Sequence, residues 1–368
     1  MKILHLAQGL RNGGVAQVVY DLASDQVSRG AEVEVVSIHS PEYDDEPARF
    51  EDTGIKVTPL HINSRFDLGV INNLTKIMMD CDVVHVHLFP NQLYASLALS
   101  KIPKKRRPIL ITTEHSTWNN RRTHSILRSV DKWFYKKYDK IVAISPEAER
   151  GLKDWLKSPK LDSKIVTINN GVDLSRFRDA ENKLSLACPI PSAAKSIVMV
   201  CRMARPKVPE TLLCATAQIP NLHAVLIGDG PLTDALRNLS RDLGIEKRTH
   251  LLGIRRNVNE LIKGCSIGCL ASEWDGFGLV AVEYMAAGLP VLVSDVPGLR
   301  EVVGDKDALF STYDENELAH KIRKLLEQPD YYQSKRDFSI SRCQEYSIKK
   351  TTDSYWKLYM DLFDNKKK

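Results

Sequence analysis

Short runs of Val, Ile and Leu alternate with helical segments along the whole of this 368-residue chain, and this alternation constrains the fold most. Val- and Ile-rich strands separated by helical segments are typical of parallel sheets covered by helices on both faces. The predicted strands are 2–6, 32–38, 57–60, 83–87, 109–113, 140–144 and 165–168 in the first half, and 197–201, 224–228, 250–253, 267–271, 290–293 and 308–310 in the second half.

The alternation is interrupted between 182 and 196, where two prolines and small polar residues suit a linker. We therefore predict an α/β protein of two doubly wound, Rossmann-like domains, 1–182 and 183–345, that face each other across a cleft. Ligands are expected at the carboxyl ends of the strands in such domains. The last segment, 346–368, predicts a helix that crosses back to the N-terminal domain and ends in a basic tail.

The segment 278–287 predicts a helix that is apolar nearly all round, and Glu283 is its one charged residue. A helix with this pattern is buried on most sides. A buried carboxylate is costly unless another group hydrogen-bonds to it. We therefore expect a polar group opposite Glu283, and a bound ligand is one candidate.

Glycines and cations follow the first strand of each half. Gly13 and Gly14 open the first helix, where backbone amides favour phosphate oxygens, although a simple tight turn explains the pair equally well. Arg202 and Lys207 follow the strand 197–201. A guanidinium can bind two phosphate oxygens and an ammonium supplies a point charge, so we favour phosphate binding over the alternative of two solvated loop cations.

Three histidines are predicted near the ends of two neighbouring strands. His85 and His87 share one face of the strand 83–87, because side chains repeat every two residues, and His115 follows the next strand. A single histidine is usually structural, but this grouping predicts a function for at least one of them.

The net charge of +6 is concentrated in residues 101–140, where twelve Lys and Arg face three acidic residues. Trp133, Phe134 and Tyr135 interrupt this basic stretch, which predicts a helix of cationic and aromatic character. Such a helix suits an anionic membrane surface, and a solvated basic face is the other interpretation. No nucleic-acid partner is expected, because no helix-turn-helix, zinc-finger or RNP motif accompanies the charge.

The chain contains no apolar run of 18 or more residues, and its N-terminus lacks the apolar core of a signal peptide. We expect a cytoplasmic protein, either free or peripheral on the inner face of the cell membrane. Cys265 and Cys269 have no companion pair at the spacing of a zinc site, so no metal is expected there.

Together these motifs resemble the family 4 retaining glycosyltransferases, also called glycosyltransferase group 1, of the GT-B fold. The resemblance covers nearly the whole chain. The matching motifs are the glycine pair at 13–14, Thr-Glu-His at 113–115, Ile-Asn-Asn-Gly-Val-Asp at 168–173, Arg202 with Lys207, Gly-Asp-Gly-Pro-Leu at 228–232, and Asp275 with Glu283. The last pair has the spacing of the family's E-x7-E segment and is the most specific.

The resemblance implies a role for each matched position. Arg202 and Lys207 would neutralise the donor's diphosphate, Glu283 would bind the ribose, and His115 would lie beside the reacting sugar and phosphate. The implied donor-binding residues are Gly14, Arg202, Lys207, Ile254, Asp275, Gly276, Phe277, Gly278, Leu279 and Glu283, the implied catalytic residues are His115, Asp275, Arg202 and Lys207, and His87 is placed on the acceptor side. Asp275 stands where the family has a glutamate, and Glu273 is the alternative for its role.

The activity implied is transfer of a hexose from a UDP- or GDP-linked donor to an acceptor hydroxyl with retention at the anomeric carbon. No cofactor and no metal are expected, because cations take the metal's place. The expected acceptor is a glycan or lipid-linked glycan of bacterial surface polysaccharide: O-antigen, capsule or exopolysaccharide. The alternatives are a GT-B-fold epimerase or phosphorylase, and a non-catalytic subunit that binds sugar nucleotides.

Overall fold

The computed structural model describes residues 1–10, 13–39, 50, 53–62, 67–115 and 120–367, and these form two compact units. The first unit combines 1–170 with 348–368, and the second unit is continuous from 171 to 347. Each unit contains one parallel sheet with helices in its crossover connections. Both predicted domains are therefore present, each as a doubly wound α/β unit.

The first unit is built on a seven-stranded sheet in the order β3-β2-β1-β4-β5-β6-β7, with every pairing parallel. Its strands are β1 (Lys2–Ala7), β2 (Glu32–His39), β3 (Lys56–His61), β4 (Val83–His87), β5 (Ile109–Glu114), β6 (Lys140–Ala143) and β7 (Ile165–Thr167). Every residue of the central strands β4 and β5 is buried, as expected for strands covered on both faces.

Helices connect these strands and complete the first unit. They are α1 (Gly14–Ser28), α2 (Val70–Met79), α3 (Asn91–Lys101), α4 (Leu127–Tyr135), α5 (Pro146–Leu156) and α6 (Pro159–Asp162), with 3-10 turns at Lys104–Arg106 and Asn120–Thr123. The α5 helix shows how local sequence sets a boundary: the Ser145 side chain accepts a hydrogen bond from the Ala148 amide, and Pro146 occupies the first turn.

The second unit is built on a six-stranded parallel sheet in the order β10-β9-β8-β11-β12-β13. Its strands are β8 (Lys195–Val200), β9 (Leu222–Ile227), β10 (Thr249–Leu251), β11 (Ile267–Leu270), β12 (Val291–Ser294) and β13 (Leu309–Phe310). All thirteen strands predicted from the sequence are present, with ends that differ by at most two residues.

The helices of the second unit are α7 (Leu174–Arg178), α8 (Leu184–Ala187), α9 (Pro209–Ala217), α10 (Thr233–Asp242), α11 (Val258–Lys263), α12 (Leu279–Ala286), α13 (Pro297–Val303), α14 (Glu315–Glu327) and α15 (Pro329–Arg342), with 3-10 turns at Glu246–Arg248, Lys306–Ala308 and Cys343–Tyr346. The α12 helix is the apolar helix predicted around Glu283. It begins after Gly278 and ends before Gly288, and both glycines have positive φ.

The chain leaves the first unit at Asn170, earlier than the predicted boundary at 182. The reason is that α7 packs against α11 and α12 and so belongs to the second unit. The segment 182–196 is therefore an internal part of that unit, where the Asn182 side chain accepts a hydrogen bond from the Leu184 amide.

The last helix, α16 (Ile348–Lys367), completes the first unit, as predicted. Its residues Tyr355 and Tyr359 are fully buried, and their hydroxyls bond Thr113 at 2.9 Å and His85 Nδ1 at 2.5 Å. The helix is thus anchored beside β4 and β5 by hydrogen bonds as well as by apolar contact.

In both sheets the order of the strands reverses beside the first strand of the unit. β1 lies between β2 and β4, and β8 lies between β9 and β11. Ligands of doubly wound sheets bind at this switch point, outside the carboxyl ends of the strands. The loops that follow β8 and β11 contain Arg202, Lys207 and Asp275, and the strands β1 and β4 contain His5, His85 and His87.

Candidate active site

The loops after β8 and β11 are joined to each other at the switch point of the second unit. Lys207 and Ser272 form an isolated antiparallel bridge, and the Glu273 amide donates to the Pro206 carbonyl at 2.9 Å. The Lys207 ammonium forms an ion pair with the Asp275 carboxylate, and both side chains are largely buried. Two residues predicted separately from the sequence therefore lie in one site.

Arg202 occupies the same loop and presents an exposed guanidinium. Within the parts of the chain that the structure describes, this side chain forms no hydrogen bond and no ion pair. The site therefore combines one cation that is paired with an acid and one that is available for an anion. A guanidinium in this condition is well suited to two phosphate oxygens at once.

The motif Gly-Asp-Gly-Pro-Leu supports the Arg202 loop from behind. A Cβ added at Gly228 would lie 1.9 Å from the Cys201 carbonyl oxygen, and one at Gly230 would lie 2.4 Å from the Met203 carbonyl oxygen. Backbone hydrogen bonds from Met203 to Asp229 and from Leu232 to Met203 close the contact. The close packing against the Arg202 loop therefore requires glycine at both positions, and this packing helps to position the loop.

Asp275, and not Glu273, is the acid that joins this cluster. Asp275 Oδ1 also accepts a hydrogen bond of 3.2 Å from the Phe277 amide. The Glu273 carboxylate instead accepts a hydrogen bond from the Tyr313 hydroxyl and lies 4.0 Å from Arg205. The two acids of this segment therefore have different partners, and Asp275 shares its site with Lys207.

The segment after Asp275 leads into α12 and offers backbone rather than side-chain groups. The Phe277 side chain is buried edge-on against Tyr346, with ring centroids 5.4 Å apart, so only its backbone can contact a ligand. Gly278 adopts φ +86° as the residue that precedes Leu279, the first residue of the helix. The predicted contributions of Gly276, Phe277 and Gly278 are thus confined to the main chain.

Glu283 lies on α12, where burial strongly disfavours the ionised form of its carboxyl group. Burial raises the pKa of Glu283 to about 7, against a smaller opposing effect of the Arg176 charge. Among the described residues, no hydrogen-bond donor and no ion-pair partner contacts this carboxylate. The polar group that the sequence predicted opposite Glu283 is therefore not supplied by the described parts of the chain.

Ile254 follows β10 and is 70% exposed. Its neighbour Gly253 accepts a backbone hydrogen bond of 2.8 Å from Gly228, so this turn lies beside the one that supports Arg202. In the first unit, α1 begins at Gly14, with the extended and exposed Gly13 before it. Residues 11 and 12, which precede this glycine pair, lie outside the described ranges.

The histidines of the first unit form one connected cluster. His87 Nδ1 and His115 Nε2 are 3.0 Å apart, and the rings of His85 and His87 have centroids 4.2 Å apart. Burial lowers the pKa of His115 to about 4 and that of His87 well below its usual range. All three rings are therefore neutral at physiological pH.

The structure corrects the predicted role of His87. This side chain is fully buried, and its two ring nitrogens are already bonded to His5 and His115. No polar atom of His87 is left for an acceptor substrate. His115, which is only partly buried at the end of β5, is the member of the cluster that can contact one.

Sequence reasoning missed His5 and Gln26, which complete the cluster. His5 Nδ1 lies 3.1 Å from His87 Nε2, and His5 Nε2 lies 2.8 Å from Gln26 Oε1. The signal was present: β1 pairs with β4 in such a sheet, and that register places His5 directly beside His85. Gln26 lies three turns into α1 and has no comparable signal.

One nitrogen from each of His5, His85 and His87 lies within 4.8 Å of the others, a spacing compatible with a metal ion. These nitrogens are already used, however: His5 bonds His87 and Gln26, while His85 bonds Thr113 at 2.7 Å and Tyr359. A metal would have to replace several of these buried hydrogen bonds. The donor set therefore suits a hydrogen-bonded network better than a metal centre.

Comparison with known proteins decides the family. Residues 187–340 match the family model described as glycosyl transferases group 1, and residues 12–176 match the model of glycosyltransferase family 4. The chain is a family 4, group 1 glycosyltransferase. The two matches divide the enzyme between its two units.

Individual relatives of this glycosyltransferase agree with the family models. N-acetyl-alpha-D-glucosaminyl L-malate synthase of Bacillus anthracis is 25% identical over 82% of this chain and 81% of its own length. UDP-Gal:alpha-D-GlcNAc-diphosphoundecaprenol alpha-1,3-galactosyltransferase of Escherichia coli is 26% identical over 77% of this chain and 76% of its own length. The crystal structure of Anabaena Alr3699/HepE with UDP and glucose has a TM-score of 0.83 and 19% identity, covering 98% of this chain and 100% of that one. The last likeness shows the GT-B fold.

The basic stretch 101–140 of the glycosyltransferase contains two 3-10 turns, the buried strand β5 predicted at 109–113, and the short helix α4, which contains the aromatic residues 133–135 as predicted. Phe134 and Tyr135 are fully buried, whereas Trp133 is 42% exposed. Arg121 and Arg122 face inward, 3.3 Å from Asp131 and 3.9 Å from Glu114. The predicted cationic and aromatic character of this stretch is therefore only partly on the surface.

Within the described ranges, the enzyme has no helix whose length and apolar character would allow it to cross a bilayer.

Proposed function

We propose that this glycosyltransferase moves a sugar from a nucleotide-sugar donor to an acceptor hydroxyl with retention at the anomeric carbon. The observation that carries the proposal is the Lys207–Asp275 ion pair at the switch point of the second unit, with the exposed Arg202 in the same loop as Lys207. Two cations beside one carboxylate match the groups of a sugar diphosphate: a doubly charged diphosphate and a neutral, hydroxyl-rich ring.

The donor's parts fit residues of the second unit one by one. Arg202 and Lys207 bind the diphosphate, Asp275 and the main chain from Gly276 bind sugar hydroxyls, and Glu283 accepts hydrogen bonds from the ribose. The base lies against Ile254. A ribose hydroxyl would give Glu283 the hydrogen-bond donor that the described chain does not provide.

For the Gly14 amide, at the start of α1, we propose a phosphate-binding role, since helix N-termini favour phosphate oxygens. Uracil is the base we favour, because the Escherichia coli relative is named for UDP-Gal and the Anabaena structure contains UDP. A guanosine donor is the other candidate to be tested.

Transfer on the same face of the sugar needs no protein nucleophile. The bond from the anomeric carbon to the diphosphate oxygen breaks while the bond to the acceptor oxygen forms. The acceptor proton passes to the departing phosphate oxygen. Arg202 and Lys207 stabilise the negative charge that grows on the diphosphate, so the reaction proceeds without a metal. Activity should therefore be unchanged by a chelator.

The proposed acceptor is a lipid-linked glycan of bacterial surface polysaccharide. One support is the Escherichia coli relative, whose name gives a GlcNAc-diphosphoundecaprenol acceptor. The other is a surface on α4, where Ile126, Val130 and Trp133 are 79%, 43% and 42% exposed and recur at helical spacing. The Lys137 ammonium lies 4.8 Å from the Trp133 ring centre, so the surface combines apolar and cationic groups. Such a surface suits the headgroup region of an anionic membrane.

The function is tested by a screen of UDP- and GDP-sugars for thermal stabilisation, followed by transfer assays with the sugar that binds. We expect Lys207→Ala to lower kcat by about 100-fold or more, as loss of a group that stabilises transition-state charge usually does. Lys195→Ala is the matched control, because Lys195 is exposed at the opposite end of β8. Asp275→Asn should also lose activity, whereas Glu273→Gln should retain it. Equal kcat in wild type and Lys207→Ala would refute the diphosphate role.

A further inference from the structure

The buried histidines of the first unit form a chain that leads to His115 and to no other surface group of the described structure. We propose that Gln26, His5 and His87 hold the His115 ring in one tautomer, with its proton on Nε2 and with Nδ1 as a hydrogen-bond acceptor. The three are then positioning residues for His115. The catalytic meaning of this tautomer rests on the transferase function proposed above, but the tautomer itself does not.

The donor-to-acceptor direction of the hydrogen bonds along this chain, which we call its polarity, follows from the number of protons that each group carries. A neutral imidazole has one N–H and one acceptor nitrogen, and an amide oxygen can only accept. Gln26 Oε1 therefore accepts from His5 Nε2, which leaves His5 Nδ1 as an acceptor. His87 Nε2 donates to it, and His87 Nδ1 in turn accepts from His115 Nε2. The proton of His115 is thereby committed to His87.

Gln26 sets this polarity because its carbonyl oxygen, which can only accept, is the group that faces His5 Nε2. The opposite orientation of Gln26 would reverse every hydrogen bond and place the His115 proton on Nδ1.

The chain cannot carry a proton away from His115. It ends on an amide, which takes up no proton near neutral pH, so it lacks the acceptor that a relay requires. A second proton on His5 or His87 would also bring two N–H groups face to face. Burial acts in the same direction, since it lowers the pKa of His5 to about 4 and that of His87 well below normal.

This arrangement decides what His115 can do for a substrate. With Nε2 committed to His87, the nitrogen left for a ligand is Nδ1, which has a lone pair and no proton. His115 therefore accepts a hydrogen bond from a hydroxyl of the donor sugar or of the acceptor. It has no proton on Nδ1 to donate to a phosphate oxygen.

The test is a measurement of the tautomer in the full chain at pH 7.5, with 15N-labelled histidine and long-range 1H–15N correlation. Loss of a signal set in His115→Asn assigns the ring. We expect His115 to carry its proton on Nε2 in the wild type, and to become a mixture of tautomers in Gln26→Leu and in His87→Phe. Gln26→Glu, which offers an acceptor at the same place, should preserve the wild-type tautomer. His320→Gln, on the exposed side of α14, is the control.

Activity gives a second readout. Gln26→Leu and His87→Phe should lower kcat by about tenfold or more with little change in the donor KM, as loss of a residue that orients a site group does. Gln26→Glu should recover most of the rate.

Two results would overturn the proposal. A proton on Nδ1 of wild-type His115 would show the opposite polarity, and an unchanged tautomer in folded Gln26→Leu would show that another group sets it. If either apolar variant fails to fold, the wild-type spectrum and Gln26→Glu still decide. A wild type with the Nε2 proton but without transferase activity would refute the proposed function and leave the tautomer intact.

Discussion

Glu283 is a residue whose ionised side chain lowers the stability of the fold, although we propose that the same side chain binds the ligand. It lies on an apolar helix, burial raises its pKa to about 7, and the described chain offers its carboxylate no hydrogen bond. Such a group destabilises the fold once it is ionised. Its presence is understandable if a ligand supplies the missing donors.

Glu283→Gln should therefore stabilise the protein in a pH-dependent way. Between pH 4.5 and 7 the folded state binds more protons than the unfolded state, so wild-type stability falls as pH rises. The variant lacks this loss, and its advantage should grow from near zero at pH 4.5 to at most about 3 kcal/mol at pH 8. Urea unfolding at both pH values measures it, with the exposed Glu327→Gln as control.

The same substitution should weaken binding of the nucleotide sugar, because a carboxylate accepts ribose hydrogen bonds more strongly than an amide does. Calorimetry at pH 8 tests this. The ribose role would be wrong if Glu283→Gln bound the donor as tightly as wild type, even if it proved more stable.

At the scale of elements, the active-site loops are supported by glycines in neighbouring loops. The turn after β9 contacts the Arg202 loop through Gly228 and Gly230, and Gly298 at the start of α13 contacts the Asp275 loop, where a Cβ would lie 2.4 Å from the Asp275 carbonyl oxygen. The cations and acids of the site are thus placed by backbone-to-backbone contact between adjacent loops.

Gly228→Ala should disturb the site without changing any side chain that contacts the donor. Its Cβ would lie 1.9 Å from the Cys201 carbonyl oxygen at φ +124°, so the loop must move. We expect a loss of stability of about 2 kcal/mol or more and clearly weaker donor binding. Gly244→Ala is the matched control, because Gly244 has φ +68° but no atom within 4 Å of the added Cβ.

Unfolding curves and donor titrations of the two alanine variants separate the effect of a positive φ from the effect of the steric clash between the added Cβ at 228 and the Cys201 carbonyl oxygen. The supporting role of Gly228 would be contradicted if both variants lost the same stability and bound the donor equally well.

At the scale of the whole molecule, Arg202 and Lys207 belong to one unit, and the histidine chain and the exposed surface of α4 belong to the other. The basic residues Lys104, Lys105 and Arg106 form an exposed 3-10 turn elsewhere in the same unit. Membrane contact through both groups would combine apolar insertion with charge attraction.

Sedimentation with vesicles containing anionic phospholipid tests these two contributions. Ile126→Ser with Trp133→Ser should reduce binding at every ionic strength. Neutralising Lys104, Lys105 and Arg106 to Gln should reduce it mainly at low salt, because salt screens surface charge. Neutral vesicles are the control. Equal sedimentation of wild type and both variants would exclude this surface as the contact.

Much of the fold could be predicted from the sequence, because buried parallel strands contain continuous apolar runs, such as Ile197–Val200 of β8, that have few alternatives. The site residues could be predicted where charged side chains follow the end of a strand, as Arg202 and Lys207 do. They could not be predicted where residues meet only through packing. Gln26 and Tyr359 reach the histidines from α1 and α16, and no local pattern links them to β4.

The return of α16 to the first unit has a consequence for synthesis. The ribosome releases the whole of the second unit, 171–347, before α16. The residues of the second unit are therefore synthesised before the helix that contains Tyr355 and Tyr359. The His85 ring gains the Tyr359 hydroxyl only at that late stage, so the histidine cluster is completed after the second unit has been made.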